Sequence, residues 1–312
     1  MASGSLITRP DFPLLMQPKA LRSLKEMIWD KENIIESMRG DYYTVKETDD
    51  PFWQTFSMVG MGNAQQKREG TVGRFDRIGM GRPFTMVFPT YSLAVAISRE
   101  AQEDDKHNIL GPMITRELKR SVEEAMEEDA VAQYNDGFSF QGWESDGQAM
   151  FSNAHPILRP GIDGVTTWSN LHATAATLSI GALDTAFTTL RTQKSDTGRW
   201  LRFDKPVYLD VHPTMLPTAL RILQTEKILG QNWNDKNLYY RTLVPRANPR
   251  LTNQYAWFLS SDDNDWMWMN RIAPQMMTHV DDVIGATVFI TRARWGRGAV
   301  TARGKYGSYA LS

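Results

Sequence analysis

The stretch YSLAVAISREAQEDDKHNILGPMITRELKRSVEEAMEEDAVAQYND, residues 91 to 136, carries two hydrophobic periods back to back. In its first eight residues Tyr91, Leu93, Val95 and Ile97 alternate with Ser92, Ala94, Ala96 and Ser98, the period of two that a half-buried strand requires. Further on, Ile114, Leu118, Val122, Met126 and Ala130 recur every four residues and end at Tyr134, with Met113 and Ala125 beside them, the stripe of one helix face. Pro112 suits a first turn and Gly137 a C-terminal cap, so the spacing predicts one long helix from about 112 to 135. At ~1.5 Å per residue such a rod spans roughly 36 Å, about the diameter of a small domain. A strand feeding so long a helix predicts a plate-like domain built along one spine.

Charge divides around this stretch. Between Lys67 and Arg99, six cations (Lys67, Arg68, Arg74, Arg77, Arg82 and Arg99) face only Glu69 and Asp76. Between Glu100 and Asp136, eleven acids, among them Glu123, Glu124, Glu127, Glu128 and Asp129, outnumber Lys106, Arg116, Lys119 and Arg120. Adjacent blocks of opposite sign suit docking of one subunit's basic segment on another's acidic one. The last thirty residues add Arg292, Arg294, Arg297, Arg303 and Lys305 without a single acid, a basic end that the sequence alone does not assign to a surface.

Upstream, Phe52 to Thr90 is punctuated by Gly60, Gly62, Gly70, Gly73, Gly79 and Gly81 and reads as a long β-ribbon. Its tip residues Gln65, Gln66, Lys67 and Arg68 are polar, so the ribbon is expected to have little hydrophobic face of its own and to need outside support. Before it, Leu21, Leu24, Ile28, Ile35 and Met38 mark an amphipathic helix between Pro18 and Gly40, preceded by the extended arm TRPDFPLLMQP. Phe12, Leu14 and Leu15 of that arm have little local structure to bury them and are expected to lie on another surface. Downstream the elements mix in α+β fashion: helices in SIGALDTAFTTLRTQ and HPTMLPTALRILQTEK, a strand in PVYLDV, short strands and loops through TLVPRANPRLTN, YAWFLSSDD and WMWMNRIAP, and closing strands in VIGATVFITRARWG and AVTARGKYGSYAL.

A chain of 312 residues, 41% hydrophobic, can bury a sizeable core. No cysteine is present, which removes disulfides, thiolate zinc sites and a cysteine nucleophile. No apolar run reaches membrane-spanning length and the N-terminus lacks signal-peptide features, so a soluble, cytoplasmically made protein without a membrane partner is expected. A formal charge of −1 argues against a protein whose main task is neutralising phosphates.

Motifs for chemistry are nearly absent. The glycine pairs lack the third glycine of a dinucleotide fingerprint, and no phosphate loop, nucleophile elbow or pair of histidines at i and i+4 occurs. DDNDWMWM lacks the glycine and closing glutamate of a calcium loop. FSNAHPILRPGIDGVTTWSNL, residues 151 to 171, holds His155, Asn153, Asn170 and hydroxyls, the mix an active site could use. His155 precedes Pro156, which favours extended backbone, and no partner nucleophile stands at a telling spacing, so the run reads as a joining loop. No catalytic residue, cofactor or metal is expected.

The order of a proline-rich arm, a basic glycine-rich ribbon, YSLAVAISREAQEDD, a long acidic helix, FSNAHP, LDTAFTTLRTQKSDTGR, PVYLDVHPTMLPTALRILQTEK and AWFLSSDD resembles the Mu-like prophage major head subunit family, over most of the chain. The resemblance implies an α+β fold of the Hong Kong 97 type with an N-terminal arm (1–52), an extended loop (53–90), a peripheral domain on the spine helix (91–136 and 273–312) and an axial domain (137–272). It implies a major capsid protein, hexamers and pentamers closing into an icosahedral shell around double-stranded DNA in the virion, with a portal and possible decoration protein as partners. No long, charged, helical N-terminal segment is present, so scaffolding is expected from a separate protein. Some relatives lock their shells with a lysine to asparagine bond, and Lys67 sits where such a lysine would be, but no partner is evident. The interface residues expected on this reading are Phe12, Leu14 and Leu15 of the arm, Lys67, Arg68, Arg74 and Arg77 of the ribbon, and Glu123, Glu124, Glu127 and Glu128 of the helix. An encapsulin-type compartment, or an enzyme of unknown mechanism, is the alternative.

Overall fold

Period-four spacing becomes a single 26-residue helix in the computed structural model, which describes residues 6–7, 37–73, 75–105, 110–141, 146–159, 164–201, 206–227, 236–262, 264–281, 283 and 285–309. In chain order the elements are α1 (Arg39–Tyr42), β1 (Thr44–Glu47), β2 (Phe52–Val59), β3 (Gly79–Val87), β4 (Thr90–Ser98), α2 (Arg99–Asp104), α3 (Leu110–Asn135), β5 (His155–Pro156), β6 (Thr167–Trp168), α4 (Ile180–Arg191), β7 (Pro206–Val211), α5 (Leu216–Gln224), β8 (Val244–Ala247), β9 (Trp257–Ser261), β10 (Trp266–Asp281), β11 (Ala286–Ala299) and β12 (Lys305–Ser308). The amphipathic stripe between Leu21 and Ile35 lies outside the described residues, as do Phe12, Leu14, Leu15 and Arg74.

The chain divides into two compact units. The first comprises Met1–Phe52, Val87–Ala130 and Trp268–Arg297, the second Trp53–Met86, Val131–Met267 and Gly298–Ser312. β12 pairs with β9 and so completes a sheet of the second unit. β10 runs longer than the short strands and loops expected there.

The first unit carries the sheet β1-β10-β11-β4. β4 and β11 are antiparallel, with Ile97 opposite Thr287 and Tyr91 opposite Ala293. The predicted spine positions Ile114, Leu118, Val122, Met126 and Ala130 are all buried. Ile97, Ala101, Leu110, Ile114 and Leu118 form one apolar cluster, against which Met276 and Phe289 of the sheet pack. Leu93 departs from the expected alternation and stays 45% exposed, while Tyr91 stacks on Trp295 at 3.7 Å between ring centres. Trp295 in turn donates from Nε1 to Asp129 on α3 (2.8 Å), and Arg297 meets the same carboxylate (2.7 Å). Tyr43 donates to the carbonyl of Ala130 (2.7 Å), and burial pushes its hydroxyl pKa up. From the arm, Ile7 forms a parallel bridge with Ile97, its N–H donating to the carbonyl of Ala96 (3.0 Å).

The second unit is built on the sheet β12-β9-β7-β8, with β7 and β8 parallel and the other pairs antiparallel. α4 and α5 supply Leu183, Ala186, Leu190, Ala219 and Leu223 to a core shared with Leu209, Val211, Trp257, Leu259 and Tyr306. Ser179 caps α4 by accepting from the N–H of Ala182 (3.2 Å), satisfying one of the donors a helix start leaves open. Gly137 follows α3, where a C-terminal cap is expected, and its surroundings give the reason. A Cβ there would lie 2.6 Å from the carbonyl oxygen of Gln133 and 2.8 Å from the ring of Phe151, so it is close approach that demands glycine.

Candidate assembly surfaces

The ribbon of the second unit is the pair β2 and β3. Along β2, Trp53, Thr55 and Ser57 are half-buried, while Phe56 and Met58 are exposed, Met58 at 71%. Along β3, Phe84 and Met86 are buried and Met80 is exposed, so the ribbon has an apolar outer face that the sequence reading did not expect. The two strands come unusually close at Gly81, where a Cβ would stand 2.0 Å from Ser57 Oγ and 2.6 Å from its carbonyl oxygen. Beyond Val59 and Gly79 the described chain leaves the ladder and forms a lobe in which Met61, Val72, Phe75 and Ile78 are exposed, Phe75 at 89%. Lys67, Arg68 and Arg77 are exposed in the same lobe.

The acids expected opposite these cations lie on α3 in the first unit, and their surroundings differ. Glu127 is 1% exposed and engaged within its own unit. Its carboxylate accepts from Ser37 Oγ (2.9 Å), the N–H of Met38 (2.9 Å) and Arg39 Nε (2.7 Å). A carboxylate so enclosed anchors the chain entering α1. Glu123 and Glu124 are half-buried and Glu128 is exposed, with Glu123 placed 3.8 Å from Lys119 one turn away.

His155 answers the question raised by FSNAHP. It is 1% exposed and stacks on Trp168 at 4.4 Å. Asn170 donates from Nδ2 to the carbonyls of Met150 (2.8 Å) and Ala302 (3.2 Å), which turns Oδ1 toward the N–H of Ser152 (2.9 Å) and His155 Nε2 (3.0 Å). Nδ1 meets Asp146 Oδ2 at 2.6 Å. An Asp–His pair of this kind serves catalysis only when the second nitrogen faces a nucleophile. Here it faces a fixed amide oxygen, so the constellation ties four chain segments together. Burial alone would raise the Asp146 pKa. The hydrogen bond and charge of His155, the N–H of Gln148 and Arg82 more than offset that, and the net shift is downward.

A second buried network was not legible in the sequence. Lys305, also 1% exposed, donates from Nζ to Tyr134 Oη and Ser260 Oγ, both at 3.0 Å, and lies 4.5 Å from the ring centre of Trp266. Both hydroxyls reach Asp210 Oδ2, at 3.2 and 2.8 Å, and Asp210 is held by Arg246 through Nε (2.6 Å) and Nη2 (3.0 Å). Of the remaining basic end, Arg297 pairs with Asp129 and Arg303 with Asp196. The turn at DDNDWMWM is closed by Asn264 donating to the carbonyl of Ser261 (2.8 Å) and by Thr301 donating to Asp265 (2.7 Å).

Comparisons with known proteins agree on one architecture. The profile of the phage capsid protein family matches residues 85–309. Among solved structures, a chain of Microbacterium phage Oxtober96 superposes with a TM-score of 0.58 at 10% identity, over 98% of this chain and 100% of the other. The capsid of bacteriophage JBD30, decorated with minor capsid protein trimers, gives 0.56 at 14% identity over 80% of this chain and 100% of that one. The capsid of a native GTA particle gives 0.56 at 11% identity over 89% and 92%. A comparison with curated proteins finds no match. These likenesses give the Hong Kong 97 type fold. Through the family match over most of its length, the chain belongs to the phage capsid protein family: a structural shell protein, not an enzyme.

Proposed function

We propose that this capsid protein is the major head subunit of a Mu-like tailed phage, closing as hexamers and pentamers into an icosahedral shell around double-stranded DNA. In this reading the first unit is the peripheral domain and the central part of the second unit the axial domain. The ribbon lobe of each copy docks on the acidic helix face of the next. The observation that carries it is the lobe itself: Met61, Val72, Phe75 and Ile78 hold apolar area in water beside Lys67, Arg68 and Arg77. Large apolar side chains left exposed on one segment mark an interaction surface, and the cations on the same segment select an acidic partner. With Glu127 engaged internally, the complementary acids are Glu123, Glu124 and Glu128. Exposed pairs contribute about 0 to 1 kcal/mol each, so charge sets register while the apolar lobe, with Phe12, Leu14 and Leu15 of the arm, supplies affinity.

A separate scaffolding protein, a portal and a decoration protein belong to the same proposal. Support for the last comes from JBD30, whose capsid carries minor capsid protein trimers. The test is electron microscopy of the purified protein and of the variant R74E/R77E. Closed particles holding nuclease-resistant DNA are expected from phage-infected cells, and the variant should assemble in lower yield, rescued by E124R/E128R. Normal yield and salt tolerance in R74E/R77E would sink the charge-docking reading.

A further inference from the structure

The ladder between β2 and β3 stops at Val59 and Gly79, and at that level the ribbon is gripped from its own body by two arginines. Arg159 Nη1 donates to the carbonyl of Arg77 (2.7 Å), lies 3.5 Å from that of Gly60, and stands 3.5 Å from Asp76 Oδ1. Arg199 Nη2 donates to the carbonyl of Gly62 (2.6 Å). Asp76 closes the ring, its Oδ2 accepting from the N–H of Gly62 (2.7 Å) and its Oδ1 from the N–H of Arg77 (2.8 Å).

The body side of this ring is firmly built. The N–H of Arg159 donates to the carbonyl of Asp196 (2.9 Å), and the Asp196 carboxylate is held by Arg303 (3.0 Å). Arg199 closes a turn on Ser195, whose N–H donates to the Arg199 carbonyl (2.7 Å) and whose Oγ accepts from the Arg199 N–H (3.1 Å). Thus 157–159 and 195–199 form one stiff seat. To the two arginines the ribbon offers carbonyls and one carboxylate, and Arg159 and Asp76 are each 30% exposed. The contacts of this ring are polar and partly exposed, so water competes for them and the grip is reversible.

We propose that Arg159 and Arg199 are positioning residues: a polar clamp that sets the direction in which the distal lobe, described at 61–73 and 75–78, leaves the body, and the point about which that lobe reorients when it meets a neighbouring copy. Donation to main-chain carbonyls suits this task, because it fixes backbone direction independently of the side chains the lobe presents. Its consequence for shells rests on the docking reading above, but the clamp itself is a property of the single chain and is tested there.

Full-length protein and the variant R159A/R199A are compared by limited trypsin digestion, reading cleavage after Lys67 and Arg68 by mass spectrometry, together with the thermal melting midpoint. The expected result is cleavage accelerated about tenfold at an unchanged midpoint, with R159K/R199K, which keeps donors at both positions, falling between the two. Cleavage at the rate of the parent protein, or acceleration that merely follows a lowered midpoint, would overturn the clamp. Neither readout requires particles. Loss of assembly in the parent protein would therefore refute the docking reading and leave the clamp standing, whereas parental cleavage in the variant would do the reverse.

Discussion

Lys305 holds its amine in a buried site where the nearby carboxylate of Asp210 is shared with Arg246. Asp210, to which it is linked through Tyr134 and Ser260, is already paired with Arg246, so desolvation prevails and the amine pKa falls to about 7, the attraction of Asp210 and Asp262 only partly opposing it. The linkage has a definite sign. From about pH 7 up to the ordinary lysine value, the unfolded chain binds a proton that the folded chain lacks, so stability rises with pH across that window. Above it the trend reverses. Burial pushes the hydroxyl of Tyr306 up to about 12, so the unfolded chain releases the tyrosine proton first. Urea midpoints are expected to climb between pH 7 and 9, and K305M to flatten that climb by removing the titrating group. An equal slope in K305M would place the pH dependence elsewhere. Glu127 shows the opposite case, a buried acid whose partners Ser37, Met38 and Arg39 all come from one short segment. Its sequence context, EEAMEED, gave no sign that this acid alone would be enclosed, because burial depends on which helix face the returning chain covers.

At the scale of elements, the ribbon departs most from expectation. Its glycines mark a ribbon in the sequence without saying why glycine is needed, and Gly81 acts through closeness, with Ser57 occupying the space a side chain would need. G81V is expected to open the β2–β3 ladder, cost about 2 kcal/mol or more through strain and a lost close contact, and raise hydrogen exchange of 52–59 and 79–87 selectively. Unaltered exchange in both strands would show that the ladder tolerates a bulge there. The spine helix was legible because five apolar residues at period four leave only one face to bury. β10 was not, since its outer half, PQMMTHVD, is largely exposed and shows no alternation to read. The exposed face of β2 escaped notice for a related reason. FWQTFSMV places apolar residues at both parities, and a pattern that is apolar on both faces does not say which one solvent will meet.

For the whole molecule, near-neutral charge and a pI of about 6.5 mean that long-range repulsion between copies is small. Raising salt from 0.1 to 1 M shortens the screening length from about 10 to about 3 Å. Assembly monitored by light scattering should then slow severalfold while the final yield stays nearly constant, because charge guides encounter and apolar burial holds the product. A collapse of yield at high salt would assign the holding to ion pairs. The amino-acid sequence by itself determined the α+β class, the spine helix, the existence of a ribbon, the lack of catalytic motifs and the resemblance to head subunits, since each is written in local periodicity or in residue type. The tertiary structure alone decided that His155 and Asn170 tie segments together, that Lys305 is buried, that β12 belongs to the second unit and that Arg159 and Arg199 grip the ribbon. These depend on contacts between residues from 9 to 171 positions apart, and a chain's local pattern carries no record of which distant carbonyl or carboxylate will finally stand within hydrogen-bond reach.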